Sequence, residues 1–482
     1  MAMCKLFHHH LAGDDGTTCT LPPVQVVPSS SGGCSGGTAT KPVTVNKRPI
    51  LDPGLSATVC SDDDISITLA AAGSSPVAAA SYNITASVAP GLVANVGPTT
   101  GNGLTSAAIF NDNFTNKTGG PLNVTYTVTP VSVDNCAGNS VNVIATINPE
   151  PVMATGLGVT ECSDVAIGLT LNTTGGSVVA ASYNVTSVII PGGLTAGANA
   201  VVPQTGVADN YLANDTYTNT GNSPLVVQYT VVPVSANACP GDPLVINATI
   251  DPEPVISTLL DKTVCSDNII ALTLATNGVS VAAANYNLVN VSIPGGLTPG
   301  GSNAAFPSNG VASNFVASDT YTNETTLPID VTYQVQGVSA AGCTGDNRLI
   351  VVTINPEPVM NNGLSTTVCS DGSSGITFAS VGTAVAANDY NLVSVTIPAG
   401  ATAAGTNAAF PANNVVNNYI SADSYTNKTS AAVDVIYEVR GVSVAGCVGD
   451  SEFITLTVDL EPVIDPALDV TICSDEVTGV TL

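Results

Sequence analysis

Tryptophan is missing from this chain of 482 residues, aromatic residues reach only 4%, and charged residues only 9%. Any core must therefore be narrow, filled by small and β-branched side chains. The three histidines stand together as His8, His9 and His10. The rest of the chain has no imidazole to serve as a catalytic base or a zinc ligand. There is no CxxC pair, no glycine-rich phosphate loop and no nucleophile motif. An enzyme is not expected.

Basic residues are scarce as well. Nine Lys and Arg stand against 36 Asp and Glu, a net charge of −27. Nucleic-acid binding requires clustered cations on phosphates, so that class is excluded. Anionic membrane surfaces are disfavoured for the same reason. No apolar run reaches 18 residues, which leaves no candidate membrane-spanning helix. The segment Met1 to His10 lacks the apolar centre of a signal peptide and reads as a truncated start. No Lys or Arg lies between Lys117 and Lys262, so trypsin-like proteases find few cut sites. A durable, solvated extracellular protein fits this composition.

What is abundant is small and turn-forming: 45 Gly and 31 Pro, within a chain that is 44% hydrophobic. That much apolar content fills cores rather than leaving a disordered chain. Internal repetition organises it. Cys60, Cys162, Cys265, Cys369 and Cys473 follow one another at 102, 103, 104 and 104 residues, each followed by Ser-Asp. Cys34, Cys136, Cys239, Cys343 and Cys447 keep the same steps. A proline joint recurs as Pro149-Glu150-Pro151, Pro252-Glu253-Pro254, Pro356-Glu357-Pro358 and Glu461-Pro462. Tyr126, Tyr229, Tyr333 and Tyr437 form another series. Four complete repeats are placed at 51–150, 151–253, 254–357 and 358–461. Residues 1–50 hold the last strands of a partial repeat behind an irregular start, and 462–482 the first strands of another.

Within a repeat, apolar and polar residues alternate, as in Val124-Thr125-Tyr126-Thr127-Val128 and Ile65-Ser66-Ile67-Thr68-Leu69. This period marks strands with one buried and one wet face. In the second repeat, strand A is expected at 152–161, B at 165–172, C at 181–190, D within 195–212, E at 214–220, F at 226–235 and G at 243–250. Some seven short strands in about 100 residues predict an all-β, immunoglobulin-like sandwich. Four of them, with their joints, would span on the order of 160 Å as an elongated array.

Regularly placed cysteines in a histidine-poor chain read as disulfides of an oxidising compartment rather than as a zinc site. The candidates are Cys60, Cys136, Cys162, Cys239, Cys265, Cys343, Cys369 and Cys447. Strand A ends at one pole of a sandwich and strand G begins at the other, and a disulfide needs Cα atoms within about 7 Å. That geometry favours bonds between neighbouring repeats: Cys60–Cys239, Cys162–Cys343 and Cys265–Cys447. Pairing within a repeat, such as Cys60–Cys136, stays open if the strand polarity is otherwise. The same geometry brings acids together at each joint, as with Asp62, Asp63, Asp64, Glu150 and Asp242 at the first, an oxygen-rich group suited to Ca²⁺. A solvated acidic turn is the alternative. No other cofactor is indicated.

Val-Cys-Ser-Asp ahead of strand B, Tyr126-Thr127-Val128 on strand F, and Gly342-Cys343-Thr344-Gly345 with Gly446-Cys447-Val448-Gly449 in the following loop resemble the PKD-like and Ig-like repeats of large Bacteroidota surface proteins. The resemblance covers nearly all of the chain beyond residue 30. It implies a secreted, cell-surface location and the company of adhesins and gliding-associated filaments, exported in many cases by the type IX route. Asp215-Thr216, Asp319-Thr320 and Asp423-Ser424 are similar to the start of O-glycosylation sites in those bacteria, making Thr216, Thr320 and Ser424 candidates. The expected role is a structural stalk or fibre whose partners are neighbouring repeats or identical subunits. Two alternatives remain: an adhesin whose repeats bind a cell-surface glycan or protein, and a filament subunit joined by strand complementation.

Overall fold

The computed structural model describes residues 19–75, 77–464 and 469–481. Among them every regular element is a β-strand. They fall into two compact units. One runs up to residue 218 and takes in Leu225–Ile250; the other comprises Asn219–Pro224 and the residues from Asp251 on.

The first unit opens with an antiparallel hairpin, β1 (Cys19–Val26) and β2 (Ala39–Val45). The first complete repeat contributes β3 (Ser56–Cys60), β4 (Ser81–Val88), β5 (Leu92–Val96), β6 (Gly101–Leu104), β7 (Asn113–Asn116), β8 (Leu122–Val131) and β9 (Val141–Asn148). Five of these form one sheet in the order β3-β9-β8-β4-β6, and β5 pairs with β7 in a second. All neighbours are antiparallel except β3, which runs parallel to β9 along the sheet edge. The other three repeats show the same strand order. This is a tandem series of immunoglobulin-like β-sandwiches.

Alternation in the sequence becomes burial in the structure. On β8, Val124, Tyr126 and Val128 are each 0% exposed while the threonines between them are half-buried. Four separate apolar cores result, drawn from residues 51–147, 153–250, 256–354 and 360–458. A fully buried Val or Ile contributes about 1.5–3 kcal/mol, so each core is adequate without large aromatics. The strand tyrosines need a partner for their hydroxyls. Tyr126 donates to Asp112 at 2.6 Å, Tyr229 to Asp215 at 2.7 Å and Tyr333 to Asp319 at 2.9 Å. Those aspartates also accept from loop residues: Thr99 N–H on Asp112, Ala200 N–H on Asp215 and Ala304 N–H on Asp319. The tyrosine and the aspartate together tie a long loop to the central strand.

Two expectations are corrected. Residues 165–172 form no regular strand. Their side chains are buried as the alternation requires, with Ile167, Leu169 and Leu171 at 0, 1 and 2% exposure. Gly168, however, has φ +61°, and Ser66, Ala271 and Gly375 at the matching positions have +54°, +47° and +62°. A left-handed residue at the start of the run turns the backbone out of any ladder. Its N–H groups reach scattered carbonyls instead, Ile167 to Asp215 and Leu171 to Asp209. The strand expected within 195–212 is Gln204–Val207, which pairs with Ala180–Ile189 on the larger sheet. Second, no strand forms among the described residues of 462–482. In complete repeats strand A is held by a parallel strand G.

Candidate functional site at the repeat joints

The joint begins with the Cys-Ser-Asp turn. Asp62, Asp164, Asp267 and Asp371 have φ of 62–64°, a left-handed geometry that Asp tolerates better than most residues. Their Oδ1 atoms accept hydrogen bonds from Thr115, Thr218, Thr322 and Thr426. Of the preceding serines, Ser61, Ser163 and Ser266 are buried and Ser370 half-buried, and Ser61 Oγ accepts from Asn116 N–H at 2.8 Å, as Ser266 Oγ does from Asn323 N–H. Asn116 in turn donates its Nδ2 to the Ile147 and Gly120 carbonyls. The turn is therefore locked to the end of strand G, where the proline joint starts.

In the first unit, Cys60 is bonded to Cys239, with Cα atoms 5.3 Å apart. In the second, Cys265 is bonded to Cys447, also at 5.3 Å. Each bond runs from the turn of one repeat to the strand F–G loop of the following one. Cys162 and Cys343 are disulfide-bonded too. Cys136 and Cys369, expected in disulfides, are free thiols, as are Cys34 and Cys473. The bonding pattern explains both cases. Cys136 sits on an F–G loop and requires a turn cysteine one repeat earlier, while Cys369 sits on a turn and requires a loop cysteine one repeat later. Pairing within a repeat would have to cross the length of the sandwich.

Beside each disulfide the backbones touch. A Cβ built on Gly241 would lie 2.0 Å from the Pro151 carbonyl oxygen, and one on Gly449 the same distance from that of Pro358. The Gly of Cys-x-Gly is thus required by close approach to the proline joint. A further backbone bond crosses each joint, Val178 N–H to Thr118 O at 3.0 Å and Val385 N–H to Thr325 O at 3.0 Å.

The acids gather here in part. Of the five candidates at the first joint, Asp62, Glu150 and Asp242 come together, with Lys117 among them. Its Nζ lies 2.7 Å from Asp242 and 3.4 Å from Glu150. Asp63 and Asp64 are exposed, and Asp64 accepts from Asn113 Nδ2. Glu150 is only 2% exposed, and burial, helped by the charges of Asp62 and Asp242 and opposed by Lys117, pushes its carboxyl to about 7. The matching residues in the second unit are Asp267, Glu357 and Asp450, whose nearest carboxylate oxygens all lie within 4.8 Å of one another. Here Glu357 is again 2% exposed, and its Oε1 has no hydrogen-bond partner. Burial, then Asp267 and Asp450, raise its carboxyl to about 8, with Ser266 opposing. Lys117 is replaced by Glu324, between Asn323 and Thr325 as Lys117 is between Asn116 and Thr118. The sequence expectation covers every joint, and the repeat step carries Asp62, Glu150 and Asp242 directly onto this second group.

Each glycosylation candidate stands next to a buried tyrosine-bound aspartate and two residues before the threonine that binds the turn aspartate. Thr216 and Thr320 are half-buried, and Ser424 Oγ donates to the Ala404 carbonyl.

A family model described as a PKD-like domain matches residues 57–151 and 303–358. No curated protein matches the chain. Among solved structures, similar folds occur in mouse cadherin-23 EC22-24, with 12% identity, 64% of this chain and 99% of that one covered, and a TM-score of 0.20. The D1-D4 ectodomain fragment of ICAM-5 shows 12% identity over 87% of this chain and all of that one, with a TM-score of 0.25. A SusE-like surface-located polysaccharide-binding protein from the heparin utilisation locus of Bacteroides thetaiotaomicron shows 9% identity over 92% of this chain and 81% of that one, at 0.22. The likeness to the solved structures is one of fold. Over its two matched segments, the chain is similar to PKD-like domains.

Proposed function

We propose that this chain is an extracellular structural element of a bacterial surface protein, a stalk or fibre whose repeats act as spacers. The observation that supports this most is the placement of the disulfides. Cys60–Cys239 and Cys265–Cys447 cross from one repeat to the next instead of stabilising a single sandwich. A bond placed there adds little to a catalytic or ligand-binding fold but limits bending between domains. The proline joint, with fixed φ at two positions, and the buried Gly–Pro contact act in the same sense. The threonine-rich outer faces form a polar coat. No catalytic role is proposed: the repeats have no histidine, and their buried carboxylates serve tyrosines and joints.

Small-angle scattering of the purified chain tests the reading. A stiff rod with a longest dimension on the order of 160 Å is expected, shortening and broadening in its distance distribution when a reductant is added. A compact particle with a radius of gyration of about 23 Å, unchanged by reduction, would contradict it.

A further inference from the structure

Lys117 shows what kind of ligand a joint accepts. Its ammonium sits between the carboxylates of Glu150 and Asp242, the first of them buried. In the second unit the same three acidic positions converge, and the cation is gone from the sequence. The four basic residues of that unit are engaged elsewhere: Lys262 with the Ala271 carbonyl, Arg348 with Asp261, Lys428 with Glu461 and Arg440 with Glu438. Glu324 adds a further negative charge at the position of Lys117. Three carboxylates within 4.8 Å repel one another, and Glu357 carries an oxygen with no partner in a nearly solvent-free place. A buried carboxylate left in that state is costly unless a cation compensates it.

We propose that Asp267, Glu357 and Asp450 bind a calcium ion that takes the role Lys117 has at the other joint. The ligands are all hard oxygens, and three carboxylates supply up to six of the six to eight that Ca²⁺ takes. Asp267 and Asp450 are exposed, leaving room for water to complete the shell. Mg²⁺ fits less well, because it demands near-ideal octahedral geometry and gives up its water reluctantly. Asp267 belongs to the turn of one repeat, Glu357 to the proline joint and Asp450 to the loop of the next repeat. An ion bound there cross-links the two repeats a few residues from the Cys265–Cys447 bond. The site stands on unit-internal geometry and holds whether the chain is a spacer or a binder.

Calorimetric titration of CaCl₂ into the full chain, stripped with EDTA, tests this alongside Glu324→Lys and Glu357→Gln. Glu324 is exposed, so its replacement by lysine leaves the core intact and supplies an internal ammonium. The wild type is expected to bind calcium and to melt at a higher temperature in millimolar calcium than in EDTA. Both variants should bind one equivalent fewer. Glu324→Lys should also melt above the wild type in EDTA. Absence of calcium binding by the wild type, unchanged stoichiometry in folded Glu324→Lys, or an equal response to Mg²⁺ would overturn the proposal.

Discussion

At the scale of single residues, the repeat motif is a set of unrelated physical requirements that happen to be adjacent. In Cys-Ser-Asp, the thiol bonds across the joint, the serine oxygen holds a strand end, and the aspartate adopts a left-handed φ while accepting a threonine hydroxyl. In Cys-x-Gly, the glycine is fixed by contact. Gly449→Ala would place Cβ 2.0 Å from the Pro358 oxygen, and relief requires the backbone of the joint to move. A loss of roughly 2–3 kcal/mol is expected, seen as a lowered denaturant midpoint. An alanine variant as stable as the wild type would show that the contact is slack. The sequence revealed that these residues recur, and cysteine chemistry gave the disulfides a direction. It could not show why Gly or Ser recurs, because both answers depend on backbone from a distant part of the chain. Lys117 was passed over for a similar reason: its carboxylate partners lie 33 and 125 residues away.

Individual strands were readable where alternation and hydrogen bonding coincide, as on Leu122–Val131 and Val141–Asn148. They parted at residues 165–172, where burial alternates but a left-handed Gly168 removes the ladder. Periodicity reports which side chains face the core, not which carbonyls receive the N–H groups. The tyrosine on strand F was legible as a core residue. Its aspartate partner was not, since a lone Asp in a loop reads as solvated. Burial raises the carboxyls of Asp319 and Asp423 above the usual aspartate range, and that of Glu150 to about 7. An acid whose value is raised on folding contributes stability that is complete below its unfolded value. That contribution is lost as the pH climbs through the folded one. For Glu150 the window runs from about 4.5 to about 7. Relief of the −27 net charge acts in the same direction, while the half-buried Glu438, whose carboxyl is held down by Ser451 and Ser394, opposes it. Thermal unfolding in EDTA should therefore occur at a higher temperature at pH 5 than at pH 8; the reverse order would refute the assignment of these carboxyls.

For the molecule as a whole, repetition was the strongest signal in the sequence and gives four cores of one design. Each joint is where the repeats stop being equivalent, because one charge exchange, Lys117 for Glu324, changes what the same three acids require. The disulfides enclose 179 and 182 residues, loops long enough to stabilise by roughly 5 kcal/mol each through the unfolded chain. Everything proposed for the function depends on these bonds crossing between repeats. Peptide mapping tests that directly: free thiols are alkylated, the chain is denatured without reductant, and chymotrypsin, which cuts at Tyr, Phe and Leu, replaces trypsin. The account predicts the Cys60 peptide linked to the Cys239 peptide and the Cys265 peptide to the Cys447 peptide, with Cys136 and Cys369 alkylated. A Cys60 peptide linked to that of Cys136 would contradict it.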